Sequence, residues 1–181
     1  MHGAASIELP GWARVSASRV RHIERVTTLL TVWATQMRVD HAEATQWVDA
    51  ARWHDALRDA PEPELRSIVG DPVMHPALLH GPAAAIRLRD GGERREDVLE
   101  AIAHHTVGHA GWSRTGRALY MADYLEPGRP FAQSERAFLA AQVPHDFTGA
   151  FREVVRDRLA WSIRESLELH AQTIDLWNSI R

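Results

Sequence analysis

The chain has 181 residues with 45% apolar content, enough to bury one substantial core and too few to need two domains. Its formal charge is -3, and all 21 basic residues are arginines dispersed along the chain, which excludes the electrostatic footprint of a nucleic-acid binder. The absence of cysteine excludes disulfides, thiolate metal sites and thiol nucleophiles, so any bound metal would have nitrogen and oxygen ligands. Met1 to Trp12 lacks a basic start followed by an apolar run, and no later stretch approaches about 18 uninterrupted apolar residues; a cytoplasmic protein without a membrane partner is expected.

Taken in chain order, Ser16 or Ser18 can cap a helix whose apolar residues Val20, Ile23, Val26, Leu30 and Trp33 recur near the 3.6-residue period, running to about Met37. Asp40 caps a second helix carrying Ala44, Trp47, Ala51 and His54 on one stripe, closed by Pro61, with His54-Asp55 in its C-terminal turn. A short helix over 62–69 ends at Gly70-Asp71-Pro72, and the next begins near Pro76. Gly91-Gly92 breaks it. Helices are then expected over 93–105, 114–125 and 134–142, separated by Gly108 and Gly111 and by Pro127-Gly128. After Pro144, Asp146 caps the last and longest helix, about 146–180, with Phe151, Val154, Val155, Leu159, Trp161, Ile163, Leu167 and Ile174 on its apolar side. No strand alternation occurs. The expected fold is an all-α, single-domain bundle of about six or seven helices spanning 1–181.

Histidine is over-used, with 11 residues, and it is both the commonest metal ligand and the neutral-pH proton carrier. His22 shares a stripe with Val26, Leu29 and Trp33, so it points inward and needs a polar partner. His54 and Asp55, about 100° apart around a helix, converge on something beside that turn. Asp123 follows Leu119, Tyr120 and Ala122, where an isolated carboxylate would cost several kcal/mol unless a cation neutralised it. Two imidazoles and two carboxylates suit iron(II), manganese(II) or zinc. His2, His41, His145 and His170 lack such context and read as surface residues; His75 and His109 lie in loops that could border a pocket. Trp33, Trp47 and Trp161 fall at core spacing, whereas Trp112, beside a glycine-rich turn, reads as core or as a stacking partner for a base.

The ordered set His22, His54-Asp55, Asp123 resembles the signature of the HD superfamily of metal-dependent phosphohydrolases. The flanking stretches His80-Gly-Pro-Ala-Ala-Ala85, Ala101-Ile-Ala-His-His-Thr-Val-Gly108 and Leu119-Tyr-Met-Ala-Asp-Tyr-Leu-Glu-Pro-Gly-Arg129 are similar to its YqeK-type branch, the symmetrical diadenosine tetraphosphate hydrolases. The resemblance covers about 15–140. It implies a first metal site of His22, His54, Asp55 and Asp123, with His80 and His105 as further ligands and Asp55 bridging; Asp55, His80 and His105 would carry the chemistry. The implied cofactor is one or two divalent ions, iron first, with manganese, magnesium or zinc as alternatives. The implied reaction is symmetrical cleavage of a dinucleoside tetraphosphate by water. Arg19, Arg58, His109 and Arg129 are the candidates for gripping the nucleotide, and Glu126 either orients a ligand or pairs with Arg129. The chain departs from the family pattern at Arg58, where a lysine is expected, in the shortened interval from His54 to His80, and at His109 and Trp112. Alternative readings are another HD phosphohydrolase (a nucleotidase, a nucleoside triphosphate hydrolase or a cyclic nucleotide hydrolase), a di-iron oxygenase, or a non-catalytic nucleotide-binding module. Assembly is left open between a monomer and a homodimer.

Overall fold

In the computed structural model, which describes residues 8–181, these expectations resolve into nine α-helices and no strand among the described residues. Helix α1 (Ala17–Gln36) starts where the Ser16 side chain accepts a hydrogen bond from the Arg19 amide. Its stripe of Ile23, Val26, Leu30 and Trp33 is fully or almost fully buried. Helix α2 (His41–Trp53) is capped by Asp40 and buries Trp47, Ala50 and Ala51 against α1. It ends earlier than periodicity predicts. His54 is its C-cap, and the following residues to Ala60 form turns rather than helix.

Helix α3 (Glu62–Val69) stops at Gly70, whose φ of 74° is the left-handed conformation that closes a helix cheaply only at glycine. A single 3-10 turn over Pro76–Leu78 precedes α4 (His80–Asp90), so the expected helix start at Pro76 is displaced to His80. Helix α5 (Glu96–His104) packs closely on α4. The contact depends on Gly81, where an added Cβ would meet the Ile102 carbonyl oxygen at 2.8 Å and that of Ala103 at 3.0 Å. Before α5, Glu93 binds Arg95, which also reaches Asp49 of α2 at 2.9 Å, fixing the helix start to the bundle.

Helix α6 (Arg114–Leu125) runs through the middle and buries every residue from Ala118 to Asp123; α1, α2, α5, α7 (Gln133–Gln142) and α8 (Phe147–Arg164) surround it. The long C-terminal helix expected over 146–180 is instead two, α8 and α9 (Ala171–Ile180). Ser166 takes φ of 54°, with its amide bonded to the Ile163 carbonyl and that of Leu167 to Ser162, the paired reverse bonds that terminate a helix. Glycine normally marks this motif; serine leaves no such mark. The break turns α9 back across α8, where Thr173 Oγ1 donates to the Val107 carbonyl at 2.7 Å. No described helix is long and apolar enough to cross a membrane.

Candidate metal centre

Helix ends supply most of the site. His54 caps α2, His80 opens α4, His105 caps α5, and Asp123 and Glu126 lie at the end of α6, while Arg19, His22 and Arg25 recur every three residues along α1. All six expected ligands are buried, none exceeding 8% exposure, so their polar atoms must find partners in one another or in a cation.

The Asp55 carboxylate stands at the centre. Its Oδ2 lies 3.5 Å from His54 Nε2 and 3.7 Å from His22 Nε2, and its Oδ1 lies 3.3 Å from His80 Nε2 and 3.4 Å from His105 Nε2. His22 Nε2 is 3.1 Å from Asp123 Oδ1, and the Nε2 atoms of His80 and His105 are 3.0 Å apart. One carboxylate thus faces two groups of ring nitrogens, one oxygen to each.

The other ring nitrogens decide which atoms can bind a cation. His54 Nδ1 and His105 Nδ1 each lie 2.8 Å from a backbone carbonyl three residues back, of Ala51 and Ile102. These oxygens belong to the last helical turns, where carbonyls lack intrahelical partners. His22 Nδ1 lies 3.1 Å from Glu126 Oε1. Because a carbonyl or carboxylate only accepts, each of the three rings carries its Nδ1 proton outward and turns an Nε2 lone pair inward. His54 Nε2 is buried without a hydrogen-bond partner, and His22 Nε2 has only the Asp123 carboxylate, 3.1 Å away. These two nitrogens beside two carboxylates are the observation that fits a divalent cation; donor atoms of His22, His54 and Asp123, and of His54, Asp55 and His105, gather within 4.8 Å of one another.

Charge agrees with this. Burial opposes ionisation of Asp55, yet the charge that His54 carries below about pH 4, together with the surrounding His105 and His80 rings, outweighs it and holds the carboxyl well below the usual range. For Asp123, burial is likewise outweighed, by the Arg129 charge and by His22. Complete burial pushes His54 down to about 4, so its ring is neutral at physiological pH. Glu126 is held at about 2, burial being overcome by its bonds from His22 and Arg25.

His80 differs. Its Nδ1 lies 3.2 Å from an Arg58 guanidinium nitrogen, which can only donate, so the His80 proton sits at Nε2 facing Asp55 Oδ1 and His105 Nε2. The arginine found where the family pattern expects lysine therefore sets the tautomer of an expected ligand.

Among the expected nucleotide-gripping residues, Arg19 reaches Asp55 Oδ2 at 2.8 Å and Arg129 reaches Asp123 Oδ1 at 2.6 Å. The Glu126 side chain pairs with His22 and Arg25 rather than with Arg129. His109 is not brought to the cluster: it stacks on His104, ring centroids 4.8 Å apart. Trp112 is 3% exposed, a core residue, while Trp161, expected in the core, is 50% exposed. His41 and His145 are exposed as expected, His170 is half-buried in a cleft wall with His75, and His2 lies outside the described residues.

Three arginines escaped the sequence reading. Arg25 could have been found as the next residue on the His22 stripe. Arg136 is 3% exposed and donates to the carbonyls of Tyr124, Glu126, Arg129 and Phe131, clamping the loop that carries Glu126 and Arg129. Arg158 of α8 stacks 4.1 Å over Tyr120, donates to the Thr106 carbonyl at 2.9 Å and brings a nitrogen within 3.7 Å of Asp123 Oδ2. It lies beyond the motif-bearing segment, and nothing local marks it.

The helical fold and the buried His/Asp cluster are like those of HD superfamily hydrolases, and comparisons with known proteins point the same way. No family model matches the chain. A solved structure from Clostridium acetobutylicum, described as a predicted HD superfamily hydrolase involved in NAD metabolism, superimposes with a TM-score of 0.78 at 26% identity, covering 92% of this chain and 90% of that one. The chain shares the fold of that HD superfamily hydrolase and is an enzyme of the hydrolase class. Its curated relatives include symmetrical bis(5'-nucleosyl)-tetraphosphatases from Bacillus subtilis, 27% identical over 71% of this chain and 73% of that protein, and from Staphylococcus aureus, 34% identical over 56% and 53%. A third, from Halalkalibacterium halodurans, is 27% identical over 72% and 73%.

Proposed function

We propose that the enzyme uses one or two divalent cations, iron before manganese, magnesium or zinc, to cleave a dinucleoside tetraphosphate symmetrically, giving two nucleoside diphosphates. The observation that carries this reading is the Asp55 carboxylate shared between two groups of ring nitrogens beside an arginine-rich cleft. The activity named for the curated relatives supports the choice of substrate.

His22, His54, Asp55 and Asp123 would hold the first cation, with Asp55 also facing His105 and His80. When bound, the cations would supply a nucleophile from water near neutral pH and offset charge on the transferring phosphoryl group. Glu126 holds the proton at His22 Nδ1, and the Ala51 and Ile102 carbonyls hold those of His54 and His105, so three lone pairs stay directed inward through turnover. Arg129 and Arg158 flank Asp123 at the mouth of a cleft of ≈ 500 Å³ that Arg164 also lines. Their planar forks match phosphate oxygens, and a polyphosphate chain would draw Arg129 from Asp123.

The test is product analysis of the purified, metal-assayed chain with diadenosine tetraphosphate. Two ADP molecules are expected. ATP plus AMP, or no cleavage with any added divalent metal, overturns the reading.

A further inference from the structure

Two clefts meet at Arg158 and Trp161. One, of ≈ 500 Å³, lies on the Asp123 side and carries Arg129, Arg158 and Arg164 with Tyr124 and Phe131. The other, of ≈ 380 Å³, lies on the His105 side between α8 and α9, lined by Thr106, Tyr120, Leu167, Leu169 and Thr173 as well as Arg158 and Trp161. Each has the size of a pocket for one small ligand; the first includes Asp123 and the second Thr106, the residue after His105. Their linings differ: the first is arginine-rich, while the second mixes aliphatic and aromatic side chains with His75, Glu168 and His170.

We propose that the α8–α9 cleft seats a nucleobase, stacked on Trp161, with Arg158 gripping the adjoining phosphate. The inference rests on the reading of the enzyme as a nucleotide hydrolase and adds where one end of the substrate binds. Three features carry it. Trp161, 50% exposed, is the most exposed tryptophan among the described residues; Trp33, Trp47 and Trp112 are buried at 3% or less, and Trp12, Trp53 and Trp177 are partly buried. A large apolar ring left uncovered at the rim of two clefts offers a stacking face for any base. Arg158 is fixed by Tyr120 and the Thr106 carbonyl, so its guanidinium stays between the base cleft and Asp123 without needing the ligand to order it. Finally, the serine-terminated break after α8 folds Leu167, Glu168 and Leu169 back as the opposite wall, giving the base a slot rather than a flat surface. The arginine-rich cleft is left for the phosphates of the other half, so a dinucleotide spans Asp55 with one end in each.

The test is ADP binding by equilibrium dialysis and by tryptophan fluorescence, on the full chain and on Trp161→Leu and Trp161→Phe. Wild-type fluorescence is expected to be quenched by ADP, with that component missing from both variants. Trp161→Leu is expected to bind ADP roughly 5- to 100-fold more weakly, the scale of one base-aromatic stack. Trp161→Phe should regain most of the affinity, since a ring remains. Inorganic pyrophosphate, which has no base, should inhibit wild type and Trp161→Leu equally. Unchanged ADP affinity in Trp161→Leu, or parallel loss of ADP and pyrophosphate binding, overturns the base site. The two readings fail separately: a wild type that yields two ADP while Trp161→Leu keeps its ADP affinity overturns this site alone. A wild type that binds ADP through Trp161 but cleaves no dinucleotide overturns the substrate alone.

Discussion

The two flanks of Asp55 are built from the same residue types and held differently. On the Asp123 flank, His22 is oriented by Glu126, which is itself fixed by Arg25 and the Gly128 amide, and Arg136 pins the loop behind it. On the other flank, His105 is oriented by a backbone carbonyl, but His80 accepts from Arg58 and turns its proton toward its neighbours. The first flank already turns its ring lone pairs inward, and a cation there has only to take its carboxylate oxygens from Arg19 and Arg129. The second is closed on itself by hydrogen bonds, and a cation there must first displace Arg58 from His80 Nδ1. Matching ligand types do not make matching sites; the outer nitrogen of each imidazole decides.

The sharpest way to break the comparison is to remove what the flanks share. Asp55→Ala should abolish metal retention on both and lower turnover by at least ~10²-fold, checked by elemental analysis and product formation. Retained metal with retained turnover would dissolve the shared-carboxylate reading. Next in size, Glu126→Gln keeps an acceptor for His22 but loses the charge that binds Arg25, and should weaken cation binding to the first flank about 10- to 100-fold. A metal titration reads this directly, and unchanged affinity would mean that Glu126 serves only the fold.

Gly81→Ala probes the second flank through packing. The added methyl meets two α5 carbonyls and lies 3.3 Å from His105 Cε1, so the helices must part, at a cost of about 1–3 kcal/mol. Gly128→Ala meets the movable end of Arg25 instead and should cost less in a denaturant melt. Equal losses would show that both flanks rest on rigid packing. Arg58→Leu should free His80 Nδ1 and tighten the second equivalent of metal by up to about tenfold; identical binding isotherms for mutant and wild type would remove the asymmetry.

The smallest expected effect is on pH. Hydrogen bonding from Arg95 holds the Glu93 carboxyl at about 2, below its ordinary 4.5. A carboxyl depressed on folding contributes stability that is fully present above the unfolded value and is lost as pH falls from 4.5 toward 2. Arg95 is partly exposed, so about 1 kcal/mol is expected after solvent screening. Glu93→Gln should therefore lower the melting temperature at pH 7 and converge with wild type in acid. A gap persisting at low pH would mean that the start of α5, and with it His105, is not held by charge.

Much of this was legible because the physics is local. Apolar period, Asp40 and Asp146 caps, and the glycine at 70 specify their helices within a few residues, and buried histidines and carboxylates on apolar stripes must find partners wherever they fold. The sequence by itself therefore determined an all-helical chain and a His/Asp set demanding a cation, with the HD resemblance supplying its order. Tertiary structure decided what no local signal encodes. It turned the chain at Ser166 without a glycine, brought Arg158 and Trp161 from beyond the motif region to Asp123, and exposed a tryptophan whose spacing reads as core. It also placed Arg58 on the ring of His80, because tautomers and clefts depend on which distant atoms meet.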